Sequence, residues 1–251
     1  MGLNIALAIA VVLVIRATES PWPAVGLVLL SKWRVLAVRP RYWFVNIQAN
    51  LVDFIVSISL VVFLYTTYIS AAEPAQKLAI LIGLTLLYIG WLLFLKPRAK
   101  RAYIVAQAGV ALFAGVAALF MLSYALPASV TVIIMWLIGY ATARHVLATY
   151  DETHILFLSL VWGLTLAELG WLAYHWTVAY RPLGIESVIF PRVALTVLCI
   201  GFILHKAYDS YYHHQKIRTN DVLLPILFTL SIIIVLPIVL NLLGADVTFG
   251  I

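Results

Sequence analysis

Four polar side chains stand in an otherwise apolar stretch: Asn46, Asn50, Asp53 and Ser57. Spaced four, three and four apart, they fall on one narrow stripe of a helix. In a helix that starts at Phe44, Asp53 lies ~14 Å along the axis at ~1.5 Å per residue. An ionisable group that deep in hydrocarbon is costly and turns toward protein or water. Such a stripe could form an ion or proton site, or the wall of a polar pocket. Amides that simply bond neighbouring helices are the structural alternative, and Gln48 and Ser59, which point the opposite way, weaken the stripe.

A second acid, Glu168, sits inside WGLTLAELGWL, and a base, Arg192, inside the next apolar run. Counted from His154, Glu168 is ~21 Å from one end of its helix; counted from Glu186, Arg192 is ~9 Å from the opposite end of the next. In a core of about 30 Å these depths match. The sequence therefore predicts that Glu168 and Arg192 pair or share a polar network, either to pin two helices or to line a solute or proton path.

Histidines and acids gather on one side: His145, His154, His205, His213 and His214, with Asp151, Glu152 and Asp209. His205 and Asp209 are four apart and share a helix face. Imidazole and carboxylate together suit a transition metal, which makes His205, Asp209, His213 and His214 candidate ligands. The alternative is solvated loop residues touching headgroups. No P-loop, HExxH or GxSG pattern occurs. The last apolar run, DVLLPILFTLSIIIVLPIVLNLL, lacks the lysine that a seven-helix retinal protein needs. No catalytic residue is assigned and no cofactor is expected.

The elements that must position these groups are membrane helices. Of 251 residues, 65% are hydrophobic and 10% charged, and mean hydropathy is +1.07; a soluble domain carries about a quarter charged residues. The fold class is all-α, a polytopic transmembrane bundle. Seven clear spans lie near 44–68, 77–95, 103–125, 129–147, 154–174, 187–206 and 222–243. Residues 1–43 form an N-terminal helical pair ahead of the 44–251 core, giving eight or nine membrane helices. The pair is a helix ending near Arg16, a break at Pro21 and Pro23, and a helix from Ala24 to about Val38 that either spans or lies in the interface. The spanning hairpin is favoured.

Lys32, Arg34, Arg39 and Arg41 form a basic, aromatic flank. With this flank inside, alternation puts Lys96, Arg98, Lys100, Arg101, Arg144, Lys206, Lys216 and Arg218 inside too. The chain then reads as a multi-pass protein of the cytoplasmic membrane with its C-terminus outside. The flank should meet anionic headgroups. The net charge of +6 is spread over helix ends, which argues against nucleic acid. Cys199, the single cysteine, excludes an internal disulfide. The expected partners are membrane lipids and other membrane proteins. Three functions fit: a transporter or channel for a small solute or ion, which the intramembrane charges favour; a non-catalytic subunit or scaffold; and an enzyme acting on lipid.

Overall fold

The structure is a computed structural model that describes all residues except 1, 36, 177, 182–189, 243–245, 250 and 251. Helix α1 (Gly2–Thr18) buries Ala8, Val11 and Ile15, one face at three- and four-residue spacing. That face packs on α2 (Trp22–Ser31), α3 (Trp43–Ile69) and α4 (Pro74–Gly90). Prolines near the starts of α2 and α4 occupy positions whose backbone N–H has no partner within the helix.

The second helix corrects the expectation of a helix over 24–38. Helix α2 stops at Ser31, and its ten residues rise only ~15 Å, half of a hydrocarbon core of about 30 Å. It therefore does not span alone. The Lys32 amide closes a tight turn on Leu29 O, and 3-10 turns follow at Trp33–Val35 and Pro40–Tyr42.

After α4 comes a five-residue π-helical turn, Trp91–Leu95. Then follow α5 (Arg101–Leu122), α6 (Ala128–Leu147), α7 (Ile155–His175), α8 (Arg192–His214) and α9 (Thr219–Leu242). Among the described residues, six helical stretches are long and apolar enough to cross a membrane. The protein is an all-α membrane bundle with one small addition. Strands β1 (Val178–Arg181), β2 (Phe190–Pro191) and β3 (Asp246–Phe249) form an antiparallel sheet in the order β2-β1-β3.

The hydrophobic core divides in two. One cluster joins α1 to α4 with Ala111 of α5, the other joins α5 to α8, and Ile55 and Phe63 of α3 pack against both. Helix α3 is thus the partition on which the bundle is built. It touches α1, α2, α4, α5 and α6. Helices α6 and α7 pack closely because glycines face each other: a Cβ on Gly139 would lie 3.0 Å from the Gly163 Cα. Helix α8 packs on α5 and α9. It starts at Arg192, not near 187, because Pro191 cannot continue a hydrogen-bonded helix backward. It runs on to His214, through what reads in sequence as a polar loop.

Candidate functional site

Asp53 is buried in the first cluster, on the face of α3 turned to α2 and α4. Lys32, from the residue that ends α2, reaches its Oδ2 and is also 3.4 Å from its backbone carbonyl. Lys96 Nζ lies 2.8 Å from the same Oδ2. Trp91 Nε1 donates to Oδ1 at 3.1 Å. One carboxylate is held by two ammonium groups and an indole. Deeper along the same face Ser57 stands beside Tyr88; both hydroxyls are buried, and neither closes a hydrogen bond among the described residues.

The π turn explains how Trp91 and Lys96 meet one carboxylate. In an α-helix, residues five apart diverge by ~140°. In a π turn the i+5 residue is the hydrogen-bonded neighbour, and Lys96 N bonds Trp91 O at 2.9 Å. The carbonyls at the end of this turn are collected by buried Gln107 of α5. Its Nε2 donates to Leu95 O at 2.7 Å and Arg98 O at 2.9 Å, with Lys96 O at 3.4 Å. Its Oε1 is 2.9 Å from His145 Nε2.

The opposite face of α3 lines a cavity of about 680 Å³ between α2, α3, α5 and α6. Its walls are apolar: Leu51, Phe54, Ile55, Ile58 and Val62 from α3, Ala118 and Leu122 from α5, and Ile134 and Leu137 from α6. Gly115 lets these helices approach, since a Cβ there would meet Ile55 Cγ2 at 2.7 Å. Polar groups in the lining are few. Ser59 Oγ donates to Ile55 O at 2.7 Å. Lys32 is the cationic lining residue, and its ammonium sits 5.3 Å from the Phe54 ring centre. Lys32 therefore belongs both to the cavity and to the charged cluster.

Each residue singled out in the sequence has a definite place. Of the four-residue stripe, Asp53 and Ser57 are buried together, whereas Asn50 Nδ2 bonds back to Asn46 O at 2.8 Å. Gln48 crosses to α6 and donates to the Tyr140 hydroxyl at 2.8 Å. Of the expected headgroup cations, Arg34, Arg39 and Arg41 are exposed, but Lys32 is not: its side chain is 6% exposed and committed to Asp53.

Glu168 and Arg192 do not pair. Both are exposed, and among the described residues neither closes an ion pair. The reason is rotation rather than depth. The buried seam of α7 is Ser159, Gly163, Leu166, Ala167 and Gly170. Glu168 lies ~160° around the helix from the middle of that seam, at ~100° per residue.

The histidines separate. His213 Nδ1 is 2.8 Å from Asp209 O and 3.6 Å from its Oδ1, and His214 Nε2 is 3.8 Å from Asp221 Oδ2. His205 lies about two turns of α8 before His213, its Nδ1 buried. Among the described residues no three His, Cys, Asp or Glu side chains gather as a metal-holding group. Asp209 instead serves a clamp. Tyr150 donates to it at 2.9 Å, and Arg101 lies 3.9 Å away with its guanidinium 4.1 Å over the Tyr150 ring. Burial and then the bond to Asp209 push the Tyr150 phenol up, so it stays a donor. Nearby, the hydrogen bond from Tyr208, followed by the His154 amide, pulls the half-buried Glu152 carboxyl down.

No family model, curated protein or solved structure matches the chain. Any function must therefore be argued from this geometry. The sequence reading missed Trp91 and Lys96 as partners of Asp53. Lys96 was visible only as a topological charge, and nothing in WLLFLK marks a π turn.

Proposed function

We propose that this membrane protein binds an anionic lipid, with one hydrocarbon chain in the α2–α3–α5–α6 cavity and the headgroup at its basic end, drawn by the net positive charge of the Lys32 cluster and by the exposed Arg34, Arg39 and Arg41. The observation that carries this reading is the cavity's composition: apolar walls with a lysine among them. Its volume falls in the range of about 300–1,000 Å³ typical of ligand sites. The charged cluster adds to the argument. Two lysines around one carboxylate leave one positive charge unbalanced, which an anionic headgroup offsets. Arg34, Arg39 and Arg41, exposed on the following turns, extend the basic surface.

The role that follows is transport or presentation of a lipid rather than conduction of an ion. A hydrocarbon-lined cavity gives a small ion no replacement for its water shell. Catalysis gains no support from the lining, where the Ser59 hydroxyl is turned to its own helix.

The test is lipid retention. The full chain is purified in mild detergent, equilibrated with mixed micelles of that detergent and equal amounts of phosphatidylglycerol and phosphatidylcholine, and the lipid that stays bound is measured by native mass spectrometry. Phosphatidylglycerol should be retained in preference. Ile58→Trp, a filling change at a partly exposed lining position, should reduce retention roughly tenfold, the equivalent of ~1.4 kcal/mol. Equal retention of the two lipids, or no effect of Ile58→Trp, refutes the reading.

A further inference from the structure

Glu168 poses a problem that the lipid site does not solve. It lies ~20 Å along α7 from Ile155 and ~10 Å from His175, at ~1.5 Å per residue. Within hydrocarbon a carboxylate normally faces protein or water. Here its neighbours on the outward face are Phe157, Val161, Leu164 and Trp171, all exposed. Helix α7 cannot turn this face inward. Its other side is locked to α6, where an added Cβ on Gly163 would meet the Trp136 carbonyl at 3.0 Å.

The same molecule exposes an opposite charge at a similar level. Gly201 of α8 is level with the Trp162 ring of α7, since a Cβ there would lie 3.9 Å from Trp162 Cζ2. From those two positions Arg192 is ~14 Å further along α8, and Glu168 ~9 Å further along α7 in the same direction. The offset is roughly one helical turn, within the reach of an arginine side chain. Both residues are exposed, and among the described residues neither has an ionic partner.

We infer that a second copy of this chain covers the outward face of α7 and that Glu168 of one copy pairs with Arg192 of the other. The charges are complementary and lie at matched depth. The face between them is apolar and helical, and oppositely charged residues inside a membrane pair with one another. The inference is independent of the lipid reading, because the cavity lies on α2, α3, α5 and α6.

A charge exchange tests it. Full-length copies carrying donor or acceptor fluorophores are reconstituted together in phosphatidylcholine vesicles at several protein-to-lipid ratios, and energy transfer is measured. The wild type should show transfer that depends on its density in the membrane. Glu168→Arg and Arg192→Glu should each weaken association roughly tenfold, and a mixture of the two variants should recover it. If Glu168→Arg does not insert, Glu168→Leu replaces it and should also weaken association. Transfer no greater than that of randomly placed molecules in the wild type overturns the inference. Unchanged association in the single variants, or no recovery in the mixture, does so as well.

Discussion

Asp53 shows how much one residue's meaning depends on its partners. Its position on a polar stripe within an apolar run is legible in the sequence. Its partners are not. Lys32 lies 21 residues away and Lys96 43 away, and both read as surface charges that orient the chain. What joins them is a helix that stops early and a π turn, and neither has a signal in side-chain periodicity. The cluster also makes a quantitative prediction. Removing one member of a buried ionic group leaves the others uncompensated, at a cost of about 3–5 kcal/mol, whereas replacing the set by apolar residues is often nearly neutral. Asp53→Leu alone should therefore lower the unfolding midpoint sharply in detergent. The triple change Asp53→Leu, Lys32→Met, Lys96→Met should recover most of the loss. A triple variant as unstable as Asp53→Leu would mean that the cluster does not act as a unit.

At the scale of elements, the bundle was readable as all-helical and in the order of its helices, while helix ends and rotations were not. Apolar run length identifies a membrane helix, but an all-round apolar helix such as α7 carries no information on which side faces its neighbour. Glycine positions supply it once the structure is known. Gly139 and Gly163 meet backbone atoms at 3.0 Å across the α6–α7 seam, whereas at Gly109 of α5 an added Cβ would meet Leu198 Cδ1 at an ordinary 3.6 Å. Close-packed backbone cannot yield as open contact can. Gly139→Ala and Gly163→Ala should each destabilise by about 1–3 kcal/mol, and Gly109→Ala by clearly less. Thermal unfolding of the three variants in one detergent checks the order, and equal losses would contradict it. Helix α8 teaches a related lesson. Its start was placed near 187, ahead of Pro191, and its apolar character fades along Lys206–His214, so polarity was read as a loop where the backbone remains helical.

For the whole molecule, the distribution of charge is the strongest sequence signal. The ends of α4, α6 and α8 and the starts of α3, α5, α7 and α9 carry most of the basic residues and histidines. The contacts among Asp53, Lys32 and Lys96, and among Arg101, Tyr150 and Asp209, tie those ends together. By the rule that basic loops stay on the cytoplasmic side, this end should face the cytoplasm. In a Cys199→Ala background, Glu73→Cys, at the start of α4, should react with an impermeant maleimide on intact cells, and Arg98→Cys should react only after the membrane is opened. The reverse pattern would invert the protein. The cavity and the outward charges of Glu168 and Arg192 were beyond sequence reading for one reason. Both depend on which face of each helix is left uncovered, and that is settled by packing between helices distant in the chain.

The small sheet has a consequence for how the bundle comes apart. Helix α9 lies against α8, and the two are fastened at both ends. At the basic end Ser210 Oγ donates to Asp221 Oδ2 at 2.6 Å and accepts from the Arg218 amide at 3.0 Å. At the far end β3, which follows α9, pairs with β1 from Val178↔Phe249 to Arg181↔Asp246, and β1 in turn pairs with β2 immediately before α8. The last helix is thus a handle latched at two points, and lifting it from the bundle requires both latches to open. Slack at either one leaves α9 tethered beside α8, in register to close again.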